Sequence, residues 1–280
     1  MTVSAPTISS RRFRWVVFAL LVALAASIIY PLFFLVSSSL RTSNDYLSNP
    51  LGLPGALTFD NFLVVWNSYG AGQAFLNSLF VVTIAMTLTI LLSTSAGYAL
   101  AKLPVPGARI VTASFVSVML IPAQVLILPI YLMLSRLQLV GDFSGLILVY
   151  VATSLPFAVF FLSVSFRAIP DELIEAIRLD GAGFFRTIRS LILPVGGSSI
   201  ATLAVLQFLG MWNELLYAYI LLPDDTKTLL TPALAQIGDR YLNEQPLVSA
   251  GLLLTASVPI LLLVLAQRYV MQGLAAGVSR

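Results

Sequence analysis

Six long stretches of this chain are almost free of Asp, Glu, Lys and Arg. They run from Trp15 to Leu40, over the later part of Asn61 to Ala101, and from Ile110 to Ser135, Phe143 to Phe166, Gly197 to Leu222 and Gln245 to Gln267. The hydrocarbon core of a bilayer needs roughly 20 apolar residues of helix to cross it. In that solvent every backbone polar group must find its partner inside the segment, which favours helices. The expectation is an all-α integral membrane protein with six transmembrane helices. Composition agrees: of 280 residues 59% are hydrophobic and 10% charged, against about 25% charged in soluble domains.

The charged residues orient the spans, because the cytoplasmic side carries the excess of Lys and Arg. With the N-terminus inside, the inner segments hold Arg11, Arg12, Arg14, Lys102, Arg109, Arg167, Arg178, Arg186, Arg189, Arg268 and Arg280. The outer loops hold Arg41, Arg136, Lys227 and Arg240. Eleven of the 15 basic residues therefore put both termini in the cytoplasm. Three arginines before an apolar run also describe a secretory signal, with Ala23-Leu24-Ala25 as a passable cleavage site. The run continues to Leu40, which favours an uncleaved anchor. The domains expected are a cytoplasmic segment 1–14, a six-helix transmembrane domain 15–271 and a cytoplasmic tail 272–280.

Several chemistries drop out early. With no Cys and no His, disulfides, thiol catalysis and the commonest metal ligand and general base are absent. The string Gly141-Asp142-Phe143-Ser144-Gly145 is faintly similar to the serine turn of rhomboid-like proteases, but a Ser–His dyad cannot form. Only Lys102 and Lys227 are lysines, and neither follows a phosphate-binding glycine loop. The formal charge of +3 is scattered rather than clustered, so nucleic acid is not an expected partner. Pro31, Pro122, Pro129, Pro156 and Pro259 lie inside spans, where proline removes a donor and kinks a helix. The pair Pro122 and Pro129 makes the third span a candidate pathway liner.

The inner loop 167–194 carries more pattern than a connection needs. Two short helices are expected there. Pro170 suits a first helical position, Asp171 and Glu172 meet the positive end of the helix dipole, and Gly181 can end the helix with positive φ. Pro194 closes the second helix. Leu173, Ile174 and Ile177 recur at spacings of three and four, giving an amphipathic helix that suits a lipid surface or a partner's groove.

The stretch Glu175-Ala176-Ile177-Arg178-Leu179-Asp180-Gly181, followed by Leu191-Ile192-Leu193-Pro194, resembles the E-A-A-x3-G-x9-I-x-L-P signature of bacterial binding-protein-dependent ABC importer permeases. Ile177 and Leu191 depart from it by apolar exchanges. Asn77-Ser78, Ala96-Gly97-Tyr98-Ala99, Ile169-Pro170-Asp171-Glu172-Leu173, Trp212-Asn213-Glu214, Gln267-Arg268-Tyr269 and Gly273-Leu274-Ala275-Ala276-Gly277 are similar to the carbohydrate, maltose-type branch, in particular its smaller permease. The resemblance implies a multi-pass protein of the bacterial cytoplasmic (inner) membrane that pairs with a second, homologous permease as a heterodimer. It also implies two ATP-binding-cassette ATPase subunits, which would hold ATP and Mg, and an extracytoplasmic solute-binding protein. No cofactor is expected in this chain, and it is not expected to be an enzyme.

On that resemblance the loop is a coupling loop, with Glu175, Ala176, Asp180 and Gly181 its ATPase-coupling positions and its role mechanical. The tail can enter the ATPase dimer interface. Polar candidates for a pathway or gate are Glu214, Asn213, Tyr217, Gln124 and Asn77, with Gln207 a further polar side chain. Glu214 stands inside a span, where a carboxylate faces protein or water and often marks a pathway; the other reading has it tie helices together beside Trp212 and Asn213. The spans hold no Lys or Arg, which favours a neutral mono- or oligosaccharide over a phosphorylated ligand. A polyol or glycerol phosphate derivative is the alternative substrate, and an ion-coupled secondary transporter the alternative mechanism.

Overall fold

The computed structural model describes residues 11–240 and 244–278. The first ten residues, which make up most of the N-terminal segment, and positions 279 and 280 of the tail lie outside them. The described residues are helical, without strands. In chain order the helices are α1 (Arg11–Ser39), α2 (Ser43–Ser48), α3 (Asp60–Ser68), α4 (Ala71–Lys102), α5 (Ala108–Val118), α6 (Ile127–Arg136) and α7 (Phe143–Arg167). There follow α8 (Asp171–Leu179), α9 (Phe184–Thr187), α10 (Leu193–Val195), α11 (Gly197–Trp212), α12 (Leu216–Leu221), α13 (Leu230–Arg240) and α14 (Gln245–Val278). Four helices are long and apolar enough to cross a membrane, and six spans result if two sharply bent helix pairs count as one each.

Two compact units divide the chain, Met1–Ser68 with Gly238–Leu254 and Tyr69–Ile237 with Thr255–Arg280. In the first, α1 exposes its apolar residues all round: none of its most apolar 18-residue window is buried. Such a helix is stable only in hydrocarbon or against another protein. Its C-terminal end is held by Asn61, whose Nδ2 donates to the carbonyls of Ser39 and Arg41 at 2.8 and 2.7 Å. Arg41 is only 1% exposed, with Nε on Asp45 Oδ2 and Nη groups on the carbonyls of Gly52 and Asp45.

The second unit is built on α4 and α7. Phe80 meets Phe143 at one end, with ring centroids 6.0 Å apart, and Lys102 reaches the carbonyl of Arg167 at the other, so the two helices run parallel. The buried face of α4 is a stripe of small residues, among them Ala74, Ser78, Ala85, Ser93 and Gly97. Small side chains let membrane helices approach closely. At Gly97 the approach is tightest, since a Cβ there would stand 3.0 Å from Leu162 Cβ and 3.2 Å from the Ser163 nitrogen. Pro156 lies inside an uninterrupted α7, where Gln207 Nε2 donates to the nearby Ser154 carbonyl at 3.3 Å.

Two of the expected continuous spans are broken. The stretch Ile110 to Ser135 bends by 90° between α5 and the helical segment Ala123–Arg136. Pro122 lacks a donor and disfavours helical backbone at Ile121, whereas Pro129 falls in the first turn of α6, where no donor is needed. In the stretch Gly197 to Leu222, α11 ends at Trp212 and α12 begins at Leu216. Alone, the 16 residues of α11 extend about 24 Å, short of the roughly 30 Å core.

Candidate functional site

The loop after α7 packs as a structured body on the ends of α4 and α7. Ile174 of α8 is 3% exposed and joins Phe166, Ile169, Ile192 and Leu203 in one apolar cluster. Phe184 stacks near Tyr98 at 5.3 Å between centroids. Of the expected apolar face, Ile174 is buried and Ile177 partly so, while Leu173 stays 43% exposed. Ile174 is the one buried side chain of this nine-residue helix. Pro170 stands just before α8, and Asp171 and Glu172 open it. The chain leaves α8 through Gly181 at φ +73°, a conformation glycine adopts without steric cost.

Glu175, Ala176, Asp180 and Gly181 are all exposed. They lie on a surface that the protein's own core does not use. Leu179 and Phe185, at 89% and 79% exposure, add apolar area beside them. The second helix of the loop does not stop at Pro194. It continues to Val195 through a wide, π-type turn at Ile188–Ile192, then turns by 83° into α11 at Gly196. The widened turn gives the proline ring room against the preceding carbonyls, and the missing donor at 194 goes unneeded.

A polar seam surrounds the break between α11 and α12. Glu214 accepts from the backbone nitrogens of Tyr217 and Ala218 at 3.0 and 3.1 Å and from the Tyr150 hydroxyl at 3.2 Å. It therefore caps α12, where free N–H groups and the helix dipole favour a carboxylate, and ties that helix to α7. The Tyr217 hydroxyl donates to the Ala123 carbonyl at 2.8 Å, which joins this break to the one before Ala123. Gln124 and Asn213 are exposed beside these groups in sequence, with Asn213 Nδ2 turned back to the Leu209 carbonyl. Tyr150 and the Ala123 carbonyl give no sequence signal of their own; the helix breaks bring them in.

Asn77 stands elsewhere. It is buried, accepts from Gln73, and donates to the carbonyls of Thr226 and Thr228. The neighbouring Ser78 hydroxyl accepts from the Leu230 nitrogen at 2.8 Å. Lys227 in the same strap contacts the Gly141 carbonyl and Asp142 Oδ2 at 3.1 and 3.3 Å. The Ser144 hydroxyl and amide, with help from Lys227, hold the Asp142 carboxyl at about 2. Asp224 is lowered by the amide and hydroxyl of Thr226, and Asp45 by Arg41. Among the described residues, no three Asp or Glu side chains converge to hold a metal ion.

Residues 90–276 match the family of binding-protein-dependent transport system inner membrane components. The diacetylchitobiose uptake system permease protein of Streptomyces coelicolor is 35% identical over 227 residues, covering 81% of this chain and 75% of the relative. The arabinooligosaccharides transport system permease protein of Halalkalibacterium halodurans is 31% identical over 253 residues, 89% of this chain and 90% of that one. The melibiose/raffinose/stachyose import permease protein of Bacillus subtilis is 30% identical over 249 residues, with 88% and 90% covered. In fold, the chain is similar to a crystal structure of a bacterial ABC transporter involved in the import of the acidic polysaccharide alginate. That likeness has a TM-score of 0.80 at 20% identity and covers 94% of this chain and 99% of that one. The matched region takes in both the helix-loop body at 168–196 and the α11–α12 break, and the chain belongs to the binding-protein-dependent inner membrane components, as a multi-pass ABC importer permease of the cytoplasmic membrane.

Proposed function

We propose that this permease forms half of a translocation pathway for a neutral oligosaccharide delivered by an extracytoplasmic solute-binding protein. It pairs with a second, homologous permease and stands on two ATPase subunits, which supply all nucleotide chemistry. Both termini and the loop 167–194 face the cytoplasm. The segments 1–14 and 272–280 flank the membrane domain 15–271. The substrate class follows the relatives, whose names carry diacetylchitobiose, arabinooligosaccharides and raffinose-type sugars, and the absence of Lys and Arg from the interior of the apolar stretches.

The observation that carries the reading is the exposed face of α8, with Glu175, Ala176, Asp180 and Gly181 free of the core while Ile174 fixes the helix from behind. A helix seated on one side and bare on the other is built to receive a partner's groove. Closure of two ATPases on nucleotide draws this helix and its counterpart in the second permease together. The membrane helices then exchange an inward-facing for an outward-facing arrangement. Glu214, Tyr217, Gln124 and Asn213 cluster at the helix breaks and shape the pathway or its gate; Asn77 steadies the outer strap.

The test is to co-express the chain with its neighbouring permease, ATPase and binding protein, and to compare assembly and stimulated ATPase activity for wild type, Glu175→Arg and Gly181→Asp. Loss of either property, with the chain still inserted and folded, is the expected result. Normal assembly and response in both variants would remove α8 from the coupling path and return it to the lipid surface.

A further inference from the structure

An ammonium group carries three N–H donors and no acceptor, and Lys102 Nζ meets three acceptors. They are the carbonyls of Arg167 at 3.3 Å and Ile169 at 2.5 Å, and Asp171 Oδ1 at 2.6 Å. The lysine side chain is only 5% exposed, against 77% for Asp171. Its hydrogen-bonding capacity is thus taken up inside the protein. The three acceptors bracket one short turn. Arg167 ends α7, Ile169 lies within the turn, and Asp171 opens α8. This turn is where α8 could pivot on α7, and the end of α4 grips both its sides.

A second bond runs the other way. Arg178, two turns along α8, donates from Nη2 to the Lys102 carbonyl at 3.3 Å. Lys102 therefore serves α8 through its side chain at the start of the helix and through its backbone near the end. Ile174 contributes an apolar pin between them. Apolar contact is non-directional and tolerates rocking of a helix, whereas three bonds from one tetrahedral group do not.

We propose that Lys102 is a positioning residue that locks α8 to the parallel pair α4 and α7, so that a displacement of α8 moves both membrane helices instead of being absorbed at residues 168–170. The inference rests on α8 being the ATPase-docking helix. Without the lysine, α8 still docks, but its motion is taken up by the turn. The loss falls on transmission and spares binding.

Two measurements on full-length protein test this. The first places spin labels at Leu92 on α4 and Leu179 on α8, both exposed, in chains carrying Lys102, Lys102→Met or Lys102→Arg. A broadened distance distribution in the Met variant, narrowed again in the Arg variant, is expected. The second uses the assembled transporter with an environment-sensitive fluorophore at Leu76, near the far end of α4. Most of the change in its signal on adding MgATP should be lost in Lys102→Met and regained in Lys102→Arg, with assembly unchanged. Should Lys102→Met not insert, Asp171→Ala removes one of the three acceptors from an exposed position and should broaden the distribution to a lesser degree.

An unchanged distance distribution in Lys102→Met overturns the proposal, and so does a full MgATP response at Leu76 in that variant. If Glu175→Arg abolishes the response while Lys102→Met keeps it, only this inference fails. If wild type gives no response to MgATP and Glu175→Arg assembles normally, the docking role of α8 fails with it.

Discussion

The hydroxyl of Tyr150 donates to Glu214 Oε2 at 3.2 Å, joining the first third of α7 to the break between α11 and α12. Tyr150 is buried, and the same carboxylate accepts two backbone N–H groups of α12. Each of these groups is committed to another part of the protein. The one carboxylate thus caps α12 and ties it to α7 at the same time.

Glu214→Ala should therefore lower stability as well as transport. Two helix N-terminal donors and a buried phenol lose their acceptor at once, and an unsatisfied buried group costs about 1–3 kcal/mol. Tyr150→Phe removes one bond and leaves no orphan on the carboxylate, so a loss near 1 kcal/mol is expected. Thermal unfolding of the purified chain in detergent compares the two. A Glu214→Ala variant with an unchanged midpoint and reduced uptake would make the carboxylate a substrate group instead.

Gly97→Ala should destabilise, because the added Cβ meets Leu162 Cβ and the Ser163 backbone at 3.0 and 3.2 Å and the backbone cannot yield cheaply. Overpacking of this kind costs about 1–3 kcal/mol. Gly210→Ala is the control: its Cβ meets nothing within 4 Å, and the gain in helix propensity is up to about 1 kcal/mol. Opposite shifts in the unfolding midpoints are expected. Equal shifts would mean that α4 and α7 are not as tightly apposed as the structure has them.

Much of this was legible in the sequence because the physics is local. The apolar lengths of α1, α4, α7 and α14 follow from the bilayer, and the left-handed glycine at 181 follows from the pattern of residues 170–181. The breaks were not legible to the same degree. Pro122 announces a disturbance, but a kink and a 90° turn carry the same residue. The gap after Trp212 has no proline or glycine at all, and is stabilised by Glu214 capping α12. Leu173 belongs to the apolar pattern of its helix yet stays exposed, since periodicity counts residue types and not the size of the surface that receives them. The roles of Lys102 and Asn77 depend on partners 65 and more positions away, which no short-range pattern encodes.

Acid should weaken the strap that joins Lys227 to α7. The Asp142 carboxyl is held at about 2 in the folded protein against an ordinary 3.8, so between these values the unfolded chain binds the extra proton. Stability from this group is complete above about pH 4 and disappears as the pH falls through 2. Asp224 and Asp45, also lowered, act with the same sign. Since Asp142 is half exposed, solvent screens the pair and the effect is modest. Denaturation of detergent-solubilised Asp142→Asn should show a shallower loss of stability between pH 4 and 2.5 than wild type, with little difference in slope at pH 6 to 8. A difference in slope confined to neutral pH would assign the linkage to other groups.

Asn77→Asp should open the same strap from its other side at neutral pH. The amide donates to the carbonyls of Thr226 and Thr228 at 3.3 and 3.0 Å, and a carboxylate in its place presents a charge to two carbonyl oxygens with no donor between them. Breaking hydrogen bonds to a buried polar group costs about 1–3 kcal/mol, here spent on freeing a loop rather than unfolding a helix. Lys227 lies in that loop, so limited trypsin digestion reads the outcome directly: cleavage after residue 227 should accelerate in Asn77→Asp and, less strongly, in Asn77→Ala. Ser78→Ala, which removes only the acceptor for Leu230, should have a smaller effect. If all three variants resist trypsin at Lys227 as wild type does, the strap is held instead by the contacts of Lys227 with the Gly141 carbonyl and Asp142, and Lys227 itself should be protected less in Asp142→Asn than in Asn77→Asp.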